Sequence, residues 1–292
     1  MSTTLIGTVA GLLIAICWGS SDYLSAKGTA KLNAFQVNFA MQAVSLILVA
    51  GLFLVSGYHI GNAHELIRIA ISSLLISTAF VIFVKALSFG DLGVVVPLSS
   101  IFPLFTIILF YIFLNISFKP SQVAAMVGIV LGSAILAYKK NHKKLPLREL
   151  HSQTFLALIA AIIWGMAFFI VDPVVSRVPW QTITITSELV ALVFAVILIW
   201  ATERKRIIES ITRSLTVRSV LIAGLMGEVG MFIFYLGSGK AGNVVIPTVL
   251  SAGGGPVVTS LWAAAIDKEK LGVTKRIGAL IVVLGVVILN AT

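Results

Sequence analysis

Ten apolar stretches, each close to the length a helix needs to cross a bilayer, follow one another along this chain and limit what it can fold into. They occupy residues 5–25, 34–56, 66–89, 94–116, 121–138, 154–171, 181–201, 219–237, 243–266 and 272–290. Of 292 residues, 59% are hydrophobic and only 11% charged, against about 25% charged in a soluble domain. With a mean hydropathy of +1.07, an ordinary cytosolic enzyme and a disordered chain are both excluded. The single cysteine, Cys17, cannot close an intrachain disulfide, which excludes a secreted disulfide scaffold. Residues 1–4 hold no basic cluster and the first stretch is long enough to span, so it reads as a retained helix rather than a cleaved signal. The fold class expected is an all-α integral membrane protein of ten transmembrane helices.

The longest polar stretch, residues 139–151, divides five apolar stretches from five. Residues 1–138 form a first unit, 139–152 a basic linker and 153–292 a second unit. Short signatures recur in order across the linker: Trp18-Gly19 as Trp164-Gly165, Val-Val-Pro97 as Val-Ile-Pro247, Pro103 as Pro256, and Leu131-Gly132 as Leu284-Gly285. Slowly growing offsets of this kind are what a duplicated unit with small loop insertions produces. An odd number of helices per unit forces the second to enter the membrane with opposite polarity. Inverted repeats of this sort bind solutes at the repeat interface near the midplane.

Loops numbered alternately sort the basic residues. One side holds sixteen of the 21 Lys and Arg, including Lys27, Lys31, Lys139 and Arg204. The other holds Arg68, Lys119, Arg177 and Lys240, and Lys85 lies inside the third helix. The positive-inside rule places the sixteen in the cytoplasm and both termini outside the cell membrane. The net charge of +10 then orients the chain and contacts anionic lipid; it is no argument for nucleic acid. The polar stretch at 202–218 carries Ile207, Ile208, Ile211 and Leu215 at helical spacing, as a short surface helix or a loop would.

The paired Trp-Gly motifs, the segment Lys85-Ala-Leu-Ser-Phe-Gly-Asp-Leu-Gly-Val-Val-Val-Pro97 and the glycine-rich fifth and tenth helices resemble the EamA-type branch of the drug/metabolite transporter superfamily. The run Trp18-Gly-Ser-Ser-Asp-Tyr-Leu-Ser-Ala-Lys27 is also similar to the glucose/ribose-type sugar porters. The resemblance spans nearly the whole chain and implies small-molecule transport by alternating access, without specifying the solute. Members of the EamA-type branch are generally drawn with cytoplasmic termini, opposite to the charge count.

Ionisable side chains inside spans are costly, so each is a candidate. Glu228 sits mid-helix between Gly227 and Gly230. There it must be protonated, paired or open to water, which suits proton coupling or a cationic group, the alternative being a structural hydrogen bond. Glu188 follows Thr182, Thr184, Thr186 and Ser187 and matches Gln42 of the second helix, with Asn38 one turn away. Together they suggest a central polar cavity, the alternative being an interhelical hydrogen bond. Asp22 and Lys85, near helix ends, read as a gate or an ion pair, and Asp172 and Arg177 as solvated. Trp18 and Trp164 are cavity walls or interface anchors, and Tyr235 and Tyr23 are weaker candidates of that kind. Pro97 and Pro103 correspond to Pro247, Gly253, Gly254, Gly255 and Pro256, where a kinked or unwound ninth helix beside the site is expected.

The four histidines (59, 64, 142 and 151) are expected in loops, so no intramembrane metal site is read, and no cofactor or catalytic set either. His-Glu-x-x-His and Gly-x-Ser-x-Gly are absent, and Gly237-Ser-Gly-Lys240 lacks the spacing of a phosphate-binding loop. Asn115-Ile-Ser117 fits a short glycosylation sequon. The sequence therefore reads as a secondary transporter, not an enzyme. Its solute is a small amine, amino acid or similar polar or amphipathic metabolite, with a proton as candidate coupling ion. Sugar uptake is the alternative, and a monomer and a homo-oligomer both stay open.

Overall fold

The computed structural model describes residues 2–56, 61–89, 92–115, 119–137, 147–268 and 272–291. These form α1 (Thr3–Gly28), α2 (Ala34–Ser56), α3 (Ala63–Leu87), α4 (Leu92–Ser99), α5 (Phe102–Leu114), α6 (Pro120–Ala137), α7 (Leu147–Val175), α8 (Trp180–Glu203), α9 (Ile207–Ser214), α10 (Arg218–Ala241), α11 (Val245–Ile266) and α12 (Val273–Ala291). Eight stretches among the described residues are long and apolar enough to cross a membrane, α4 and α5 counting together as one. The shorter apolar α6 packs along α12, which completes an all-helical membrane architecture of ten segments. Large apolar side chains such as Ile47, Leu54, Ile112 and Leu280 are exposed on the outside of the bundle, where lipid would cover them. Most of the linker, with Lys139, Lys140, His142, Lys143 and Lys144, lies outside the described residues, as do His59 and Lys270. The 202–218 stretch contains the amphipathic α9, whose Ile208 points outward and whose Ser210 is buried.

The two halves interlock rather than sit side by side. Helix α1 packs on α10 and α11, whereas α7 packs on α3 and on α4 and α5; α2 lies on α8 and α6 on α12. Exchanging the halves maps each of these pairs onto another or onto itself, as an approximate two-fold axis requires. The Trp-Gly motifs sit at two such contacts. A Cβ on Gly19 would fall 2.5 Å from the Gly255 carbonyl oxygen, and one on Gly165 would fall 2.9 Å from that of Phe102. Beside them the Thr259 hydroxyl donates to the Gly19 carbonyl (2.9 Å) and the Thr106 hydroxyl to the Gly165 carbonyl (3.1 Å). The motif recurs because in each half it lets one helix lie against the backbone of another.

Two features break the symmetry. The fourth segment, expected to be one helix over 94–116, is interrupted at Ser100 and Ile101 between α4 and α5. Conversely α11, expected to be kinked or unwound, is not unwound: it is continuous through Gly253, Gly254, Gly255 and Pro256. Proline placement accounts for the difference. Pro97 is inside α4 and Pro103 opens α5, removing two amide donors around a short stretch. Pro247 falls in the first turn of α11, where no intrahelical donor is needed, leaving only Pro256 as an interruption. Packing supports the continuous helix: Ile129 of α6 fills the space a side chain at Gly253 would need, and Ala15 of α1 lies over Gly254. The corresponding packing of α12 on α5 is not formed among the described residues.

Side-chain contacts tie the basic loop after α1 to the stretch at 203–213 and to the end of α11. Lys27 pairs with Asp267 at 2.6 Å, the Tyr23 hydroxyl donates to the same carboxylate, Arg213 donates to the Lys31 carbonyl and Asn33 to Glu203.

Candidate functional site

A cavity of about 1080 Å³, its mouth and the solvent space there included, lies between the halves. Its wall obeys the two-fold relation residue by residue. Met41, Gln42 and Ser45 of α2 match Ser187, Glu188 and Ala191 of α8, each 146 positions on. Ser73, Ile76, Ser77 and Phe80 of α3 match Gly224, Gly227, Glu228 and Met231 of α10, each 151 positions on. Trp18 matches Trp164, Asp22 matches Phe168, and Ser99 and Phe102 match Ala252 and Gly255. The places are equivalent but the chemistry is not: the glutamates of the second half stand opposite Gln42 and Ser77 of the first.

Glu188 and Glu228 are 8% and 2% exposed. Their carboxyl groups lie within hydrogen-bonding reach of each other, and the Ser45 hydroxyl reaches Glu228. Glu188 Oε2 and Glu228 Oε1 have no hydrogen-bond partner, and neither does Gln42 Oε1. The Tyr235 and Ser187 hydroxyls bond to each other at 3.1 Å beside the pair. Among the described residues no Lys, Arg or His belongs to the wall. Two buried carboxyl groups this close repel strongly when both are ionised, so the arrangement calls for a proton or another cation.

Aromatic rings share the wall with the carboxyls. Trp18 lies 6.2 Å from Phe168 and 5.8 Å from Phe234, and Trp164 lies 5.4 Å from Phe83 and 6.1 Å from Phe102, between ring centroids. Phe83 and Phe234 are again 151 positions apart, so each tryptophan meets the matching phenylalanine of the opposite half. The α4–α5 break opens onto the cavity through Ser99 and Ser100, whose hydroxyls both donate to the Val96 carbonyl.

The structure thus brings Glu228, Glu188, Gln42, Trp18, Trp164 and Tyr235 to one wall. Asn38 is fully buried and unpartnered but is not a wall residue. Asp22 and Lys85 do not pair. Asp22 faces the cavity, whereas Lys85 is exposed in the last turn of α3, 5.9 Å from the Phe89 ring. A helix-end ion pair exists, but between Lys27 and Asp267, and Tyr23 belongs to it rather than to the cavity. Asp172, expected to be solvated, is half-buried and accepts the Val244 amide at 2.8 Å where α11 begins. His64 and His151 sit in first turns of α3 and α7 rather than in loops. Among the described residues no three His, Cys, Asp or Glu side chains are grouped to hold a metal.

Apart from Ser187, the contribution of serine was not read from the sequence, although Ser21, Ser45, Ser73 and Ser77 all reach the wall. The available signal was helical spacing. Gly224, Gly227, Glu228, Met231 and Tyr235 form one stripe of α10, and Ser73, Ile76, Ser77 and Phe80 form one of α3.

Two interlocked helical halves around a cavity at their interface, apolar for the most part with a few buried polar groups, form the architecture of a membrane transporter. The chain matches the model of the EamA-like transporter family twice, over residues 5–138 and 152–291, and belongs to that family, a branch of the drug/metabolite transporters. It is similar to an uncharacterized transporter of Archaeoglobus fulgidus, 23% identical over 280 residues and covering 95% of each chain. A crystal structure of a protein 17% identical in sequence superposes with a TM-score of 0.67, over 99% of this chain and 97% of that one, and shares the fold.

Proposed function

We propose that this protein carries a small amine, amino acid or similar polar or amphipathic metabolite across the cell membrane by alternating access, with Glu188 and Glu228 exchanging protons. The observation that carries this reading is the buried pair of facing carboxyls on the wall of a solute-sized cavity between inverted halves. In such a protein the two access states are related by exchanging the conformations of the halves. Here the fourth segment is broken at Ser100 and Ile101, and the matched positions of α11 are Gly253 and Gly254, within a run of three glycines. The alternative state is one in which α11 breaks there and α4 runs into α5. The clustered basic loops face the cytoplasm in this reading, with the termini outside. The test is flux in proteoliposomes under an imposed pH gradient: wild type accumulates solute, and Glu228→Gln abolishes the dependence on the gradient. Undiminished coupling in that variant would overturn the role given to Glu228.

A further inference from the structure

We infer that the cavity selects an organic cation without a carboxylate, its ammonium seated between Glu188 and Glu228 and its apolar body held against Trp18, Trp164 and Phe168. This rests on the transporter reading and narrows its solute class. Each carboxyl keeps one buried oxygen without a partner, both belong to wall residues, and the two groups face each other. A protonated nitrogen offers two or three donors and supplies the positive charge the pair lacks. The rings around it add the attraction of an aromatic face for a cation.

The wall also argues against other solutes. The α-carboxylate of an amino acid needs a cation or a group of amide donors, and among the described residues no Lys, Arg or His side chain lines the cavity. The third charged group there, Asp22 of α1, has the same sign as the pair. An anionic or zwitterionic solute would therefore bring its carboxylate to a wall that carries acids and, among the described residues, no cation. The other titratable wall group is Tyr235 of α10, engaged with Ser187. Helices α2, α3, α4, α5, α7 and α11 bring only neutral side chains to the wall. An entering ammonium displaces the proton shared by the glutamates, and that proton leaves to buffer.

The test is isothermal titration calorimetry on the full-length protein in nanodiscs at neutral pH. Three bodies (phenyl, indolyl and hexyl) are each compared as ammonium, amino acid and carboxylate, with glucose and ribose as uncharged controls. Ammonium forms are expected to bind at least about tenfold tighter than the matching amino acids and to release protons, read from the buffer dependence of the heat. Glu188→Gln with Glu228→Gln is expected to remove both binding and proton release while the melting temperature is kept; Lys240→Ala, an exposed position away from the wall, retains the preference. The inference is overturned if no ammonium form binds, if amino acids bind equally well, or if the doubly substituted protein binds as wild type does. Amino acid or sugar flux in liposomes would overturn this inference and keep the transporter reading. Ammonium binding without flux of any solute would do the reverse.

Discussion

Replacing Gly255 by alanine is the sharpest perturbation the structure offers of the exchange between access states. A Cβ built on Gly255 meets no atom within 4 Å, so the substitution costs nothing sterically in the observed state. By contrast, a Cβ on Gly253 would collide with Ile129, and one on Gly254 would lie 2.6 Å from the Ala15 Cβ. Alanine is favoured over glycine inside a helix by about 0.8–1.0 kcal/mol, and α11 is helical at this position. In the alternative state Gly255, matched to Phe102 at the start of α5, borders the break at Gly253 and Gly254; to the extent that this edge residue gives up its helical hydrogen bonding there, Gly255→Ala favours the observed state by up to about 1 kcal/mol, a shift of up to roughly fivefold in the equilibrium. Initial rates in proteoliposomes are expected to fall by up to about fivefold, with solute affinity in this state unchanged and thermal stability equal or slightly raised. A flux equal to or faster than wild type in a well-folded variant would refute the proposed break in α11.

Gly19→Ala and Gly165→Ala force a methyl against the backbone of α11 and α5 respectively; each is expected to lower stability by about 1–3 kcal/mol, seen as a lower melting temperature in detergent. Lys27→Ala removes an ion pair between partly exposed side chains and should cost less than about 1 kcal/mol, so a collapse in stability would contradict its surface character. Asp172→Ala leaves the Val244 amide without its acceptor, an expected cost of about 1–3 kcal/mol, read by thermal denaturation. For orientation, Ser2→Cys in a Cys17→Ala background should react with an impermeant thiol reagent on intact cells; reaction only after permeabilisation would reverse the assigned topology.

Much of the helical layout was legible because lipid imposes a length and a composition on every span. The second helix was read to the residue, and most other ends fell within a few residues of the observed ones. Duplication was also legible, since Trp-Gly recurs where a glycine admits another backbone. What did not show was which half departs from the shared pattern. Both halves carry paired prolines, but only the first combines a proline deep in α4 with one opening α5. The glycines of α11 are held helical by Ile129 and Ala15, contacts that no local window contains. The glutamates stood out because charge in lipid is costly, whereas serines on a wall look like any small helix residue until their spacing is counted. Asp172 was misread for a related reason: its partner is a backbone amide 72 residues away.

The central claim is that one cavity opens in turn to both faces of the membrane. Cys17 is the single cysteine and is buried, so Cys17→Ala yields a cysteine-free background in which Ser77→Cys places a lone thiol on the cavity wall. In proteoliposomes of known orientation, an impermeant thiol reagent applied to either face should label that thiol, with the balance between faces shifting as an ammonium solute is added. Labelling confined to one face under every condition would contradict alternating access through this cavity.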